Sequence, residues 1–224
     1  MRFLHANIRS FRNNLDKLNR LLEIFEPEIF GLNETHFEDH MDFETYKTPT
    51  IFYDNSKHIF RIKGDNRSPP ISGTSIFNTD SVKLTSSYIS SDHEIINCKI
   101  STEGKKLNLI YAYLSPSSSK PQIINFYDQV IKLINDTKKS ERLLLIGDLN
   151  AKNNSIFPTI SPNFSGDILA KILKGESDIR IRDCKRQLIN LVKFSTRKQG
   201  NSENLLDFVI TDTIGNEGVE TGII

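Results

Sequence analysis

The 224-residue chain is 37% apolar and 25% charged, the fractions of an ordinary soluble globule, and they argue against both a disordered segment and a membrane-spanning protein. Its 29 Lys and Arg nearly balance 28 Asp and Glu, so the total charge gives no hint of a polyanionic partner. The two cysteines, Cys98 and Cys184, lack metal-ligand spacing and are too few for a disulfide framework, which suits a reducing compartment. Length favours one domain with a sizeable core. No apolar segment resembling a secretory leader follows Met1-Arg2-Phe3, and no run reaches membrane-spanning length, so an intracellular protein, cytoplasmic or nuclear, is expected with no membrane partner.

In chain order, Arg2 to Ile8 reads as a strand that carries Asn7 at its end. Leu15, Leu18, Leu22 and Phe25 then repeat at helical spacing behind Asn13-Asn14, a plausible cap, and Pro27 closes the helix. Glu28 to Asn33 is a second buried strand, delivering Glu34. Thr35 to Pro70, broken by Pro49, Gly64 and Pro69-Pro70, reads as loops and short strands. Four strand-like runs follow: Ser72 to Asn78, Ser81 to Ile89, His93 to Ser101 and Lys106 to Leu114, with Gly104-Lys105 as the last turn. A helix is expected from about Gln122 to Thr137, with Ile123, Phe126, Val130, Leu133 and Ile134 on one face.

The run Leu143 to Ile146 is apolar and stops on Gly147-Asp148-Leu149-Asn150. Such a run reads as a strand buried on both faces, holding Asp148 and Asn150 on the same side with Leu149 facing outward between them. Beyond it the chain is loop-rich, with helices expected near Gly166 to Lys174 and Gln187 to Val192. A late strand, Asn204 to Thr211, precedes a turn at Gly215-Asn216 and an apolar stub from Val219 to Ile224. No internal repeat or interdomain linker is visible. Between Lys171 and Lys198, nine cations face three acids, Glu176, Asp178 and Asp183. That surplus would either line a polyanion-binding face or form a solvated surface.

Strands alternating with helices are the grammar of an α/β or layered α+β domain. Several of the strands finish on a polar group, most often an acid or amide: Asn7, Glu34, Tyr113, Asp148 with Asn150, and Asp207 inside the late strand. In open α/β sheets that is the end where ligands bind.

Six segments, "HANIRS", "FGLNETHF", "SGTSIF", "LIYAYLSP", "LIGDLNA" and "NLLDFVIT", stand in the order and at roughly the distances found in the endonuclease/exonuclease/phosphatase superfamily. The chain most resembles the apurinic-like endonuclease domain of non-LTR retrotransposons, over nearly its whole length from Asn7. The resemblance implies a four-layer α/β sandwich, two packed mixed β-sheets flanked by helices, as one domain over residues 1–224. It also implies metal-dependent phosphodiester hydrolysis that nicks DNA, with a reverse transcriptase downstream in the parent polypeptide.

On that resemblance, Glu34 is the main ligand of Mg2+, with Mn2+ able to replace it, because magnesium takes hard oxygen ligands and keeps several waters. Asn7 holds the metal shell or the scissile phosphate. Many relatives have an Asp where Arg9 stands, which leaves Arg9 as a substrate contact and weakens any second carboxylate ligand. Asp148 orients and deprotonates the attacking water, and Asn150 donates from its amide to the phosphate while fixing Asp148. Tyr113 contacts the phosphate, whereas Tyr111 is read as facing the other side of its strand. Asp207 orients a catalytic histidine that normally lies in a terminal Ser-Asp-His motif. The chain ends at Ile224, about where that motif is expected, so its domain is expected to lack the last strand and this histidine and to be impaired. Ser91-Asp92-His93 spells the motif in mid-chain and is read as a coincidental turn. His5, His36, His40 and His58 are read as ordinary polar residues, with His36 close enough to Glu34 to line the cleft. Alternatives are a phosphomonoesterase or lipid phosphodiesterase of the same superfamily, or a non-catalytic nucleic-acid-binding module using the basic segment.

Overall fold

The fold is a computed structural model that describes residues 1–37, 55–59, 73–90, 93–102, 105–159, 161–193, 195–199 and 202–212. The first sheet holds β1 (Phe3–Asn7), β2 (Ile29–Asn33), β3 (Asn55–Ile59) and β4 (Thr74–Asn78) in the order β1-β2-β4-β3. The second holds β5 (Lys83–Ser90), β6 (Glu94–Thr102), β7 (Lys105–Tyr113), β8 (Arg142–Asp148), β9 (Leu188–Asn190) and β12 (Asp207–Asp212) in the order β5-β6-β7-β8-β12-β9. A small hairpin, β10 (Arg197–Gln199) and β11 (Ser202–Asn204), stands apart from both. Both sheets are mixed. β1 and β2 are parallel, as are β7 and β8, while the other pairings are antiparallel.

Three apolar interfaces make four layers. Helix α1 (Phe11–Phe25) lays Phe11, Leu18 and Leu22 on Leu4, Phe30, Leu32 and Phe77 of the first sheet. The opposite face of that sheet presents Ile29 and Ile76 to Ile96, Leu109, Tyr111, Leu144 and Ile146 of the second. On the far side of the second sheet, α2 (Lys120–Asp136) and α3 (Phe164–Lys174) cover Ile95, Ile110, Leu143, Leu145, Phe208 and Ile210. The expected sandwich is therefore the observed one. Strands β2, β4 and β8 are buried almost throughout because each is covered on both faces, which is why they read as continuous apolar runs. No helix among the described residues is long and apolar enough to cross a membrane.

Local signals explain the helix ends. Helix α2 begins two residues before the expected Gln122, because the Gln122 carbonyl reaches back to the Ser119 N–H at 2.8 Å and Pro121 suits the first turn. Helix α3 starts where Asn163 Oδ1 accepts from the Gly166 N–H at 2.8 Å, and it ends at Gly175 in the left-handed conformation. Helix α1 begins at Phe11, earlier than the expected cap, and is kinked at Asn14, whose amide donates to the Ile8 carbonyl at 2.9 Å.

Two expectations are corrected. Residues Gln187 to Val192 do not form a helix: Leu188 to Asn190 pair with β12 as a strand, so a sheet edge overrides the helical spacing. Leu149 does not face outward, being fully buried beneath the helices. Asp92, the turn at Gly215-Asn216, the final stub and most of Thr35 to Pro70 lie outside the described residues, as do His40 and the first residue of Ser91-Asp92-His93. Gly147 is dictated by packing: a Cβ there would lie 1.7 Å from the Ala112 carbonyl oxygen of the neighbouring parallel strand, and its φ is +153°.

Candidate active site

One rung of each sheet builds the site. In the first sheet Asn7 pairs with Asn33 and Asn33 with Thr74. In the second, Glu94 pairs with Tyr113, Tyr113 with Asp148, and Asp148 with Asp207. These are the last residues of β1, β2, β7 and β8 and the first residues of the antiparallel β4, β6 and β12. Alternation along each strand turns all seven toward the space between the sheets, at the end where the apolar interface gives way to polar groups. Glu34 follows directly, with φ +56°.

Asn7 joins the two acids that the resemblance singles out. Its Nδ2 donates to Glu34 Oε1 at 2.7 Å and to Asp148 Oδ2 at 3.0 Å. The Tyr113 hydroxyl donates to the same Glu34 oxygen at 3.0 Å. Asp148 Oδ1 accepts from the Asn150 backbone N–H at 3.0 Å, so Asn150 does fix Asp148, but through its main chain. The Asn150 side-chain amide donates to the Leu114 carbonyl at 2.9 Å, and the residue sits past the strand end at φ +45°. Arg9 is exposed beside Asn7, its N–H 3.3 Å from Asn7 Oδ1. Glu34, Asn7, Asp148, Tyr113, Asn150 and Asp207 are thus brought together, with Arg9 at the rim.

Electrostatics follow from this crowding. Burial, and then the Asp207 charge, push the Asp148 carboxyl up to about 7, against the hydrogen bonds of Asn7 and Asn150. Burial likewise pushes Glu94 up to about 7, with Glu34 adding to the rise. Tyr113 is raised by burial and then by the Glu34 and Asp148 charges, so its hydroxyl stays a proton donor at neutral pH.

Several of the site's residues escape the sequence reading. His5 is not an ordinary polar residue: its Nε2 lies 2.9 Å from Asp207 Oδ1 and its Nδ1 2.7 Å from the Tyr111 hydroxyl. Tyr111 does not face away from Tyr113, since residues two apart in a strand share a face, and its ring fills the inter-sheet core. Replacing His5 with Ala strands the buried Tyr111 hydroxyl and removes one partner of Asp207, so a loss on the order of 1–3 kcal/mol is expected in a urea titration. Glu94 and Thr74 are bonded to each other at 2.7 Å. Asn33 is fully buried, and its Nδ2 has no partner among the described residues. For Thr74 and Glu94 the nearest sequence signal is polarity at the first residue of an otherwise apolar strand.

The donor set suits a hard divalent cation. Glu34 Oε2 takes no hydrogen bond from the described residues, and Glu34, Glu94, Asp148 and Asp207 gather repelling charge in one mouth that a cation would relieve. Among the described residues no three His, Cys, Asp or Glu side chains converge tightly enough to hold a metal alone.

Four of the nine cations of the basic segment pair with acids among the described residues. Lys171 and Arg180 both bind Asp178, whose carboxyl their hydrogen bonds hold well below the usual range. Arg182 meets Asp128 at 2.6 Å, and Arg186 binds Asp212 and two carbonyls at the end of α2.

No protein-family model matches the sequence, and no curated protein sequence matches it significantly. Solved structures do. The catalytic domain of APE2 from Xenopus laevis superposes with a TM-score of 0.66 at 14% identity, over 96% of this chain and 83% of that one. The endonuclease domain of TRAS1, a telomere-specific non-LTR retrotransposon, gives 0.60 at 15% identity, over 95% and 85%. TDP2 from D. rerio, in complex with a single-strand DNA product, gives 0.63 at 11% identity, over 95% and 83%. At such identities the likeness is one of architecture: this chain shares the fold of these three structures.

Proposed function

We propose that this chain hydrolyses phosphodiester bonds in DNA with Mg2+, or Mn2+ in its place, as the nicking endonuclease of a non-LTR retrotransposon whose reverse transcriptase extends the 3′-hydroxyl. The observation that carries the reading is the Asn7 amide shared by Glu34 and Asp148, which puts a carboxylate whose Oε2 takes no hydrogen bond from the described residues beside one poised near neutrality. The architecture shared with APE2, TRAS1 and DNA-bound TDP2 supports the same substrate class.

Each residue then has a physical task. A carboxyl group raised to about 7 is matched to taking a proton near physiological pH, so Asp148 orients a water and accepts its proton as the oxygen attacks phosphorus in line. The bond to the 3′ oxygen breaks and that oxygen takes a proton from solvent, leaving a 3′-hydroxyl and a 5′-phosphate. Tyr113, held protonated, and the buried Asn33 amide donate toward the nonbridging oxygens, where charge builds. Asn7 fixes the separation of Glu34 and Asp148. His5 anchors Asp207. A cation on Glu34 would supply Lewis-acid polarisation of the phosphate.

The reading is tested by incubating supercoiled plasmid with the protein and Mg2+, Mn2+, Ca2+ or EDTA, beside a phosphomonoester and sphingomyelin. Relaxed circles with Mg2+ or Mn2+ alone are expected. Turnover of the monoester or lipid with intact plasmid would transfer the activity to another phosphoesterase class.

A further inference from the structure

Glu94 is a partly buried carboxylate at the mouth of the cleft that has no task in the chemistry above. One of its oxygens, Oε2, accepts both the Gly73 N–H at 3.0 Å and the Thr74 hydroxyl at 2.7 Å, so a residue of the second sheet grips the first residues of β4 in the other. The grip continues. The Gly73 carbonyl accepts from the Thr35 N–H at 3.0 Å, and Thr35 directly follows Glu34. Gly73 itself, at φ +106°, touches this segment so closely that a Cβ would stand 2.5 Å from Thr35 Oγ1 and 3.2 Å from the His36 nitrogen.

The segment needs holding. Glu34 and His36 both have φ near +60°, a conformation that disfavours residues with a Cβ and persists only where the surroundings over-determine it. On one side the Ser10 and Phe11 N–H groups donate to the Glu34 and Thr35 carbonyls at 2.7 and 3.0 Å. On the other side the Thr35 N–H donates to the Gly73 carbonyl, and the Gly73 N–H donates to Glu94.

Resting on the function proposed above, we propose that Glu94 is a positioning residue: through Gly73 and Thr35 it clamps Glu34 in its left-handed conformation, so that the carboxylate faces Asn7 and Tyr113. Its role is that of a double acceptor, and a Gln carbonyl can accept the same two bonds whereas Ala accepts neither.

The test compares wild type, Glu94→Gln, Glu94→Ala and Thr74→Val without metal, by hydrogen exchange of a peptide covering residues 33–37. Exchange there is expected to rise by about tenfold or more in Glu94→Ala and less in Thr74→Val, with peptides from β8 unchanged and Glu94→Gln like wild type. Unchanged exchange in Glu94→Ala overturns the clamp. So does equal acceleration in Glu94→Gln, which would assign the effect to charge. In the nicking assay, Glu94→Ala is expected to need about tenfold more Mg2+ for half-maximal rate, with KM for DNA within about threefold. If exchange responds as expected but wild type nicks DNA with none of the cations, the clamp stands and the endonuclease reading alone fails.

Discussion

Replacing Glu34 with Gln should lower the Mg2+-supported nicking rate on the order of 1,000-fold, with the half-saturating Mg2+ concentration raised, while thermal stability changes by no more than about 2 °C. The split follows from the geometry. The bonds from Asn7 and Tyr113 both end on Oε1, and a Gln carbonyl in that place accepts them equally well. The substitution therefore keeps the cleft and removes one negative charge at the oxygen left for a cation. A variant that loses activity through unfolding would show a large fall in Tm and no recovery at high Mg2+. Plasmid nicking at a series of Mg2+ concentrations, beside calorimetry of the same samples, separates the two.

Replacing Asp148 with Asn should abolish nicking, by about 100- to 10,000-fold, and at the same time stabilise the metal-free protein at alkaline pH. Asp148 is 4% exposed, and its carboxyl is raised by burial and by Asp207 from 3.8 to about 7. A carboxyl whose folded pKa lies above its unfolded one favours folding most when protonated. Its contribution is complete below about pH 4 and is lost as pH rises through about 7. Glu94, raised to about 7 in the same way, adds to that trend. Wild type should therefore lose stability between about pH 4 and 7 and level off above. Asn carries no charge to bury, so the variant should match or fall just below wild type near pH 4 and exceed it by a few degrees at pH 8, net of one lost acceptor. Melting curves across this pH range check the sign, and parallel curves for the two proteins would remove Asp148 as the buried titrating group.

How much of this is legible in the sequence depends on strand direction. Asn7, Tyr113 and Asp148 each end an apolar run, and Glu34 follows one, so a reading that looks at carboxyl ends of strands finds them without a fold. The mouth of a mixed sandwich also collects the amino ends of antiparallel strands, and there Thr74 and Glu94 precede their apolar runs like ordinary turn residues. Asp207 is found by the resemblance, but its partner is not: His5 lies 202 positions away in sequence and meets it only because β1 and β12 face each other across the sheets. The Asn150 side chain is assigned to phosphate by the resemblance. Chain direction changes at Asn150, and its amide turns back to the Leu114 carbonyl. Charge counting along the sequence also misses that Arg182 and Arg186 of the Lys171 to Lys198 segment meet Asp128 and Asp212 from elements distant in the chain, which lowers the segment's surplus without removing it.

The account turns on whether segments far apart in the chain form one cation site at Glu34. Crystals soaked in Mn2+ and measured at its absorption edge test this directly. An anomalous peak at a coordination distance of about 2.1 Å from a Glu34 carboxylate oxygen, beside Asn7 and facing Asp148, is the expected result. A Mn2+ peak elsewhere on the molecule, with Glu34 bound only to Asn7 and Tyr113, would contradict it.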